Sequence, residues 1–160
     1  MWMTSRMEAV ILVGIQGSGK STFYEQRLAA THRRISLDQL KTRTRERELL
    51  RVCLAAAEPF VVDNTNILAA ERAIYIQAAR DAGFRVIGYF FDIPLRDALR
   101  QNAQRSGKTR IPVPAVIGTL KRLQRPTPAE GFNELYVVRR DPAGQFIVSP
   151  WTEDQGTAHV

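Results

Sequence analysis

Cysteine, histidine and long apolar runs are scarce in this chain, and each scarcity removes a class of function. The single cysteine, Cys53, excludes an internal disulfide. It sits in the apolar-patterned stretch Leu49-Leu50-Arg51-Val52-Cys53-Leu54, where burial as a small hydrophobe is its expected role. The two histidines, His32 and His159, stand apart with no Cys/His cluster near either, so no zinc site is expected. No apolar run approaches the roughly 20 residues of a membrane span. The segment Met1 to Met7 has no following h-region of signal-peptide type and reads as a flexible lead-in. Nothing in the sequence points to export, so a cytoplasmic address is expected. Internal repeats and low-complexity segments are absent as well. Acidic residues are in deficit, with 16 Asp+Glu against 23 Lys+Arg and a net charge of +7. That balance favours a polyanionic partner. Two plainer sources of cations stay open: the needs of a nucleoside triphosphate, and a solvated face of basic residues at helical spacing.

What is present suits one globular domain. The chain has 160 residues, 44% hydrophobic and 24% charged, enough for a single sizeable core. Strand-like and helix-like segments alternate, which is the pattern of a parallel α/β sheet. Strands are expected at 9–13, 34–37, 60–62 and 85–91, with late strands at 133–139 and 145–149. Helices are expected at 22–29, 42–57, 68–82, 94–104 and 114–123. Glu58-Pro59 stops the second of these helices, and Gly83 closes the third. Residues 150–160 are polar and read as a flexible tail.

The strongest local signal is Gly14-Ile15-Gln16-Gly17-Ser18-Gly19-Lys20-Ser21, directly after the apolar run Ala9 to Val13 and before a helical segment. This is the P-loop pattern in its required setting between strand and helix. Glycines let backbone N–H groups crowd around phosphate oxygens, and the helix N-terminus adds partial positive charge. Residues Gly14 to Ser21, with Thr22, are the candidate contacts to ATP. Lys20 can reach the β- and γ-phosphates, and the Ser21 hydroxyl can ligate Mg²⁺. Because Ser21 belongs to this loop, no Ser/His/Asp-type hydrolase is indicated.

Ligands in open α/β sheets gather at the carboxyl ends of strands. That rule selects Asp38, Asp63 and the run Asn64-Thr65-Asn66. Asp38 reads either as a general base for an attacking hydroxyl or as a helix N-cap. Asp63 ends an apolar strand in the manner of a Walker B residue that helps hold Mg²⁺, or it closes an Asx-type turn. Between two late helices lies a basic, glycine-containing linker, Arg105 to Arg110, flanked by Arg100. An arginine carried there by a lid could meet the charge of a transferring phosphoryl group, and a solvated basic loop is the alternative.

Several pieces recur together in one order. They are G-I-Q-G-S-G-K-S-T-F at 14–23, I-S-L-D-Q-L at 35–40, V-V-D-N-T-N at 61–66, N-A-Q-R at 102–105, I-P-V-P at 111–114 and E-G-F at 130–132. Over about residues 8–140 the chain resembles the kinase half of polynucleotide kinase/phosphatase and the related phage polynucleotide 5′-hydroxyl kinase. The resemblance implies a P-loop α/β/α sandwich with a mostly parallel sheet and a short helical lid at about 94–123. It also implies transfer of the ATP γ-phosphate to a 5′-OH end of DNA or RNA. Position by position, it makes Lys20 and Ser21 the phosphate lysine and the metal-binding hydroxyl. Asp38 becomes the general base and Arg105 the lid arginine. Asn64 and Thr65 become the floor of the acceptor site, Lys41 an acceptor-phosphate contact, and Arg72 a further substrate-binding candidate.

Two departures stand out. This chain has Ser36-Leu37 where the family often has Asn-Arg before its base, and 160 residues leave no room for a phosphatase domain. A stand-alone kinase module is therefore expected over residues 8–149. Stand-alone relatives act on varied acceptors, so the reaction is better fixed than its substrate. A kinase for a small hydroxyl compound (a sugar, antibiotic or nucleotide sugar) and a low-turnover NTP-binding module remain the alternatives. In the expected sheet, the P-loop strand lies centrally between the strands that end at Asp38 and Asp63.

Overall fold

The computed structural model describes residues 7–156. The expected lead-in, apart from Met7, lies outside the described residues, as do His159 and the end of the expected tail. Six strands form one sheet: β1 (Glu8–Val13), β2 (Arg33–Ile35), β3 (Phe60–Asp63), β4 (Arg85–Phe91), β5 (Glu134–Arg140) and β6 (Phe146–Pro150). Their order is β2-β3-β1-β4-β5-β6. All neighbouring pairs are parallel except β5 and β6. The helices are α1 (Lys20–Arg27), α2 (Leu37–Leu40), α3 (Arg43–Ala55), α4 (Ala69–Asp81), α5 (Leu95–Ala103) and α6 (Val113–Arg122). No helix among the described residues is long and apolar enough to cross a membrane.

Side-chain alternation along the strands builds the two faces of this P-loop α/β/α sandwich. Ala9, Ile11 and Val13 of β1 pack with Leu50 and Cys53 of α3 and with Tyr75, Ile76 and Ala79 of α4. Val10 and Leu12 turn to the other face and meet Phe23 and Tyr24 of α1. Burial on both faces explains why β1 reads as an unbroken apolar run. A third, small cluster joins Ile15 of the P-loop to Ala98 of α5 and Val116 of α6. The late helices are thereby tied to the phosphate loop.

The expected neighbours of β1 need one correction. β1 lies between β3 and β4, with Ile11 opposite Val62 and Val13 opposite Phe90. β2 sits outside β3 at the sheet edge. A three-residue strand beginning Arg33-Arg34 cannot be covered on both sides, whereas an edge tolerates its charge. β2 also ends earlier than expected. Ser36 is extended, and the chain then turns into α2, which carries Asp38 in its first turn. At the other end of the chain, Trp151 belongs to the packed domain: it lies against the core, and its backbone N–H donates to the Leu135 carbonyl at 2.9 Å.

The E-G-F segment proves to be a structural clamp. Glu130 receives two hydrogen bonds from Arg72 of α4, at 2.7 and 3.0 Å. Phe132 covers Gly88 of β4, where an added Cβ would lie 2.6 Å from the Phe132 ring. Arg72 is wholly buried, and its remaining arm donates to the Asn66 carbonyl at 2.8 Å. Removing Arg72 leaves the part-buried Glu130 carboxylate unpaired and empties the space of a wholly buried side chain. Arg72→Ala is therefore expected to lower stability by about 3–5 kcal/mol. Urea unfolding checks this: the midpoint should fall steeply in Arg72→Ala and recover in part in Arg72→Met/Glu130→Leu. An Arg72→Ala midpoint equal to wild type would make the clamp dispensable.

Candidate active site

β1 delivers the chain into the P-loop, and contact with α5 dictates the loop's shape. Gly17 has φ +79°, and a Cβ there would lie 2.3 Å from the Ala98 carbonyl oxygen, so only glycine fits. Lys20 opens α1 and is buried; its ammonium curls back to donate to the carbonyls of Gly14 (2.8 Å) and Ile15 (2.9 Å). Burial lowers its pKa to about 8; Asp63 and Asp38 oppose that shift, and Arg105 adds to it. Gln16 to Ser21 line a cavity of about 630 Å³. Gly14 and Ile15 lie beneath it, and Thr22 is exposed on α1 outside the lining.

Asp63 sits at the end of β3, opposite Leu12 of β1 and hence beside the start of the loop. It is buried, and its Oδ2 accepts from the Ser21 hydroxyl at 3.2 Å. The two candidate metal-binding oxygens are thus brought together. A third residue joins them. Arg34 of β2 donates through Nε to Asp63 Oδ2 at 2.8 Å and through a terminal nitrogen to Ser21 Oγ at 3.0 Å. Sequence reasoning took Arg34 only as part of a strand.

Asp38 also lines the cavity. It is exposed, and among the described residues its carboxylate has no hydrogen-bonding partner. Its helix is held from behind. Asn64 Oδ1 accepts from the Leu37 N–H at 2.9 Å, and Asn64 Nδ2 donates to Glu46 of α3 at 2.8 Å. Glu46 is 2% exposed and also accepts from the Tyr75 hydroxyl (2.6 Å) and from Arg43 (3.0 Å). Burial, reinforced by the bond to Glu46, pushes the Tyr75 hydroxyl well above the usual tyrosine range. Asn64 therefore fixes the orientation of α2 as well as lining the cavity. Thr65 lines it too, and its carbonyl accepts from the Gly14 N–H at 3.0 Å. Lys41 holds the left-handed conformation that ends α2, φ +73°, at the cavity mouth.

On the α5 side, Arg105 lines the cavity from the segment after that helix. Asn102 pins that segment: Nδ2 donates to the Ile111 carbonyl at 2.6 Å, and Oδ1 accepts from the Ile111 N–H at 2.9 Å. The N-A-Q-R and I-P-V-P pieces are thus halves of one fastening. Arg110 turns inward, donating to the carbonyls of Arg105 (3.1 Å) and Ala103. Arg100 is exposed and paired with Asp97 at 3.5 Å.

The structure therefore brings Lys20, Ser21, Asp38, Lys41, Asp63, Asn64, Thr65 and Arg105 to one cavity. It does not bring Arg72, which the Glu130 clamp holds in the interior and outside the lining. Arg34, Arg43 and Glu71 line the cavity without having been singled out. An arginine in a strand and charges on an amphipathic helix carry no local mark of a site. No group of three or more His, Cys, Asp or Glu able to hold a metal occurs among the described residues.

A protein family described as an AAA domain matches residues 41–127, more than half of the chain. The chain belongs to that family. The AAA domain match begins after the P-loop, so the loop and the family assignment are independent observations. The bifunctional polynucleotide phosphatase/kinase of Schizosaccharomyces pombe is 27% identical to this chain over 145 residues. That similarity covers 82% of this chain and 33% of the relative, so the chain spans about a third of the relative's length. A chain of the AvrRxo1-ORF1:ORF2 complex crystallised with ATP superposes with a TM-score of 0.65 at 15% identity, covering 90% of this chain and 57% of its own. A gluconokinase from Sinorhizobium meliloti 1021 superposes with a TM-score of 0.57 at 19% identity, covering 84% and 83% respectively. These superpositions establish a shared fold.

The lowered Lys20 pKa has a consequence for stability. An unfolded lysine titrates near 10.5, so between about pH 8 and 10.5 the unfolded chain binds more protons at this position than the native one. Native stability from this group must then rise with pH across that window. The difference in unfolding free energy between wild type and Lys20→Met, both without nucleotide, should move in favour of wild type from pH 8 to pH 10. A difference independent of pH would mean that the ammonium is not held in a desolvated position.

Proposed function

We propose that this chain is an ATP-dependent phosphotransferase whose best-suited acceptor is the 5′-hydroxyl end of a polynucleotide. The observation that carries the proposal is convergence: α2 brings Asp38, and the segment after α5 brings Arg105, to the cavity that Lys20 and Ser21 line. The domain would comprise residues 8–149, with the lid at about 94–123.

In the proposed reaction the acceptor oxygen bonds to the γ-phosphorus, and the bond from that phosphorus to the β–γ bridging oxygen breaks. ADP leaves, and the hydroxyl proton passes to the Asp38 carboxylate. Lys20 leaves its carbonyl partners to bind phosphate oxygens, and Arg105 meets charge on the transferring group. A divalent cation such as Mg²⁺, when bound, would neutralise phosphate charge. The donors Ser21 Oγ and Asp63 Oδ2 are hard oxygens 3.2 Å apart and suit it.

Charge at the mouth supports a polyanionic acceptor. Lys41 and Arg43 flank the Asp38 side of the cavity, and the chain carries +7 overall. The similarity to a polynucleotide phosphatase/kinase adds to this reading.

Transfer of labelled phosphate from ATP to a panel of 5′-OH oligonucleotides and small alcohols tests the proposal. Asp38→Asn should cut kcat by roughly 10²–10⁴-fold while leaving ADP affinity near wild type. For an oligonucleotide, kcat/KM should fall as salt rises, with a shallower slope in Lys41→Ala. Transfer to small alcohols alone, without salt dependence, would replace the polynucleotide by a small acceptor. ADP binding without transfer to any acceptor would reduce the chain to a nucleotide-binding module.

A further inference from the structure

The two oxygens that suit a divalent cation already have a cation upon them. The Arg34 guanidinium makes two contacts of 2.8 Å with Asp63 Oδ2, through Nε and a terminal nitrogen, and one of 3.0 Å with Ser21 Oγ. Ser21 Oγ itself donates to the same Asp63 oxygen. All three residues line the cavity.

We propose that Arg34 and a divalent cation are alternative occupants of one position. Binding of metal–nucleotide then requires Arg34 to withdraw. The inference rests on the nucleotide-binding reading above and concerns how that site is charged.

Mutual exclusion follows from the geometry. The Asp63 oxygen already receives three donors, and the Ser21 hydroxyl gives its proton to Asp63 and a lone pair to Arg34. A metal ion held by Ser21 Oγ and this Asp63 oxygen needs the same lone pairs. A guanidinium and a divalent cation a few ångströms apart in a partly buried site repel each other strongly.

Arg34 also has freedom to leave. Its side chain is 19% exposed and comes from a strand at the sheet edge. Beyond Asp63 and Ser21, its contact among the described residues is the face of Tyr24, 5.8 Å from the ring centroid. Arg72 shows what a fixed arginine looks like in this protein: no exposure, two hydrogen bonds to Glu130 and one to the buried Asn66 carbonyl. A withdrawn Arg34 remains at the rim of a cavity built for phosphates, so its charge stays useful to nucleotide bound without metal.

The test is the thermodynamic coupling between cation and nucleotide, read by calorimetry as the ratio of ADP dissociation constants in EDTA and in saturating Mg²⁺. No acceptor and no turnover are involved. In wild type the ratio should be small, because Arg34 serves the metal-free state and resists the metal-bound one. Arg34→Met and Arg34→Gln should each raise it about tenfold, a shift of the size expected when one like charge is removed from a partly buried site. Asp63→Asn should abolish the rise. A fixed strut that merely orients Asp63 predicts the opposite, since removing it would loosen the metal oxygens and lower the ratio. A ratio that is unchanged or lower in both Arg34 variants overturns the proposal. ADP affinity in EDTA reports whether each variant keeps its P-loop, and Arg34→Gln, which retains hydrogen bonding, supplies the answer if Arg34→Met does not fold. Failure of wild type to bind ADP under either condition would instead overturn the nucleotide reading.

Discussion

The site depends on the stitching of the turn after β3 to the end of β1. Asn66 adopts a left-handed conformation, φ +48°, which asparagine tolerates better than most residues. From there its side chain donates to the Leu12 carbonyl at 2.8 Å. One residue earlier, the Thr65 carbonyl takes the Gly14 N–H. Between the parallel strands these bonds continue the ladder past its regular end, so the P-loop and the Asp63 turn form one rigid rim. Arg72 and Glu130 then lock that rim from the interior by holding the Asn66 carbonyl.

On this rim the charges are arranged in opposed sets. Asp63 is occupied by Arg34 and Ser21, and Glu46 by Asn64, Tyr75 and Arg43. Lys20 is satisfied by neutral carbonyls, which solvate an ammonium less well than a phosphate would. Burial is the main cause of the depressed Lys20 pKa, and Asp63 and Asp38 offset it only in part. Asp38 is the exception: among the described residues its carboxylate has no hydrogen-bonding partner, although a network of buried side chains fixes its helix. Rigid support behind an unengaged carboxylate is what the role proposed for Asp38 requires.

Much of this was legible in the chain. The P-loop announces itself because glycine spacing encodes a backbone shape that few other residues can take. Asp63 was visible as a carboxylate ending an apolar strand, and the alternation of strands and helices gave the sandwich. Strand order was less visible, because a local pattern cannot say that β2 pairs with β3 instead of β1. That outcome depends on which strand can afford an open edge. Arg72 was misread for a related reason. A guanidinium is usually exposed, and nothing near Arg72 reveals that its partner Glu130 comes from 58 residues further along. Arg34 and Glu46 were missed because their meaning lies wholly in what faces them across the fold.

The fastening of the segment between α5 and α6 has a bearing on timing. Helix α5 stands so close to the P-loop that Gly17 has no space for a methyl group, so the helix cannot advance on the site. Asn102 holds the two ends of the following segment together through the backbone of Ile111. Within the proposed lid at about 94–123, the span 103–110, which bears Arg105, is the part that these two contacts leave least fixed. Motions of loops this small run over nanoseconds to microseconds, far faster than hinged domains. Under the proposed function, Arg105 therefore rides on a short segment with fixed ends, and its arrival need not set the pace of transfer.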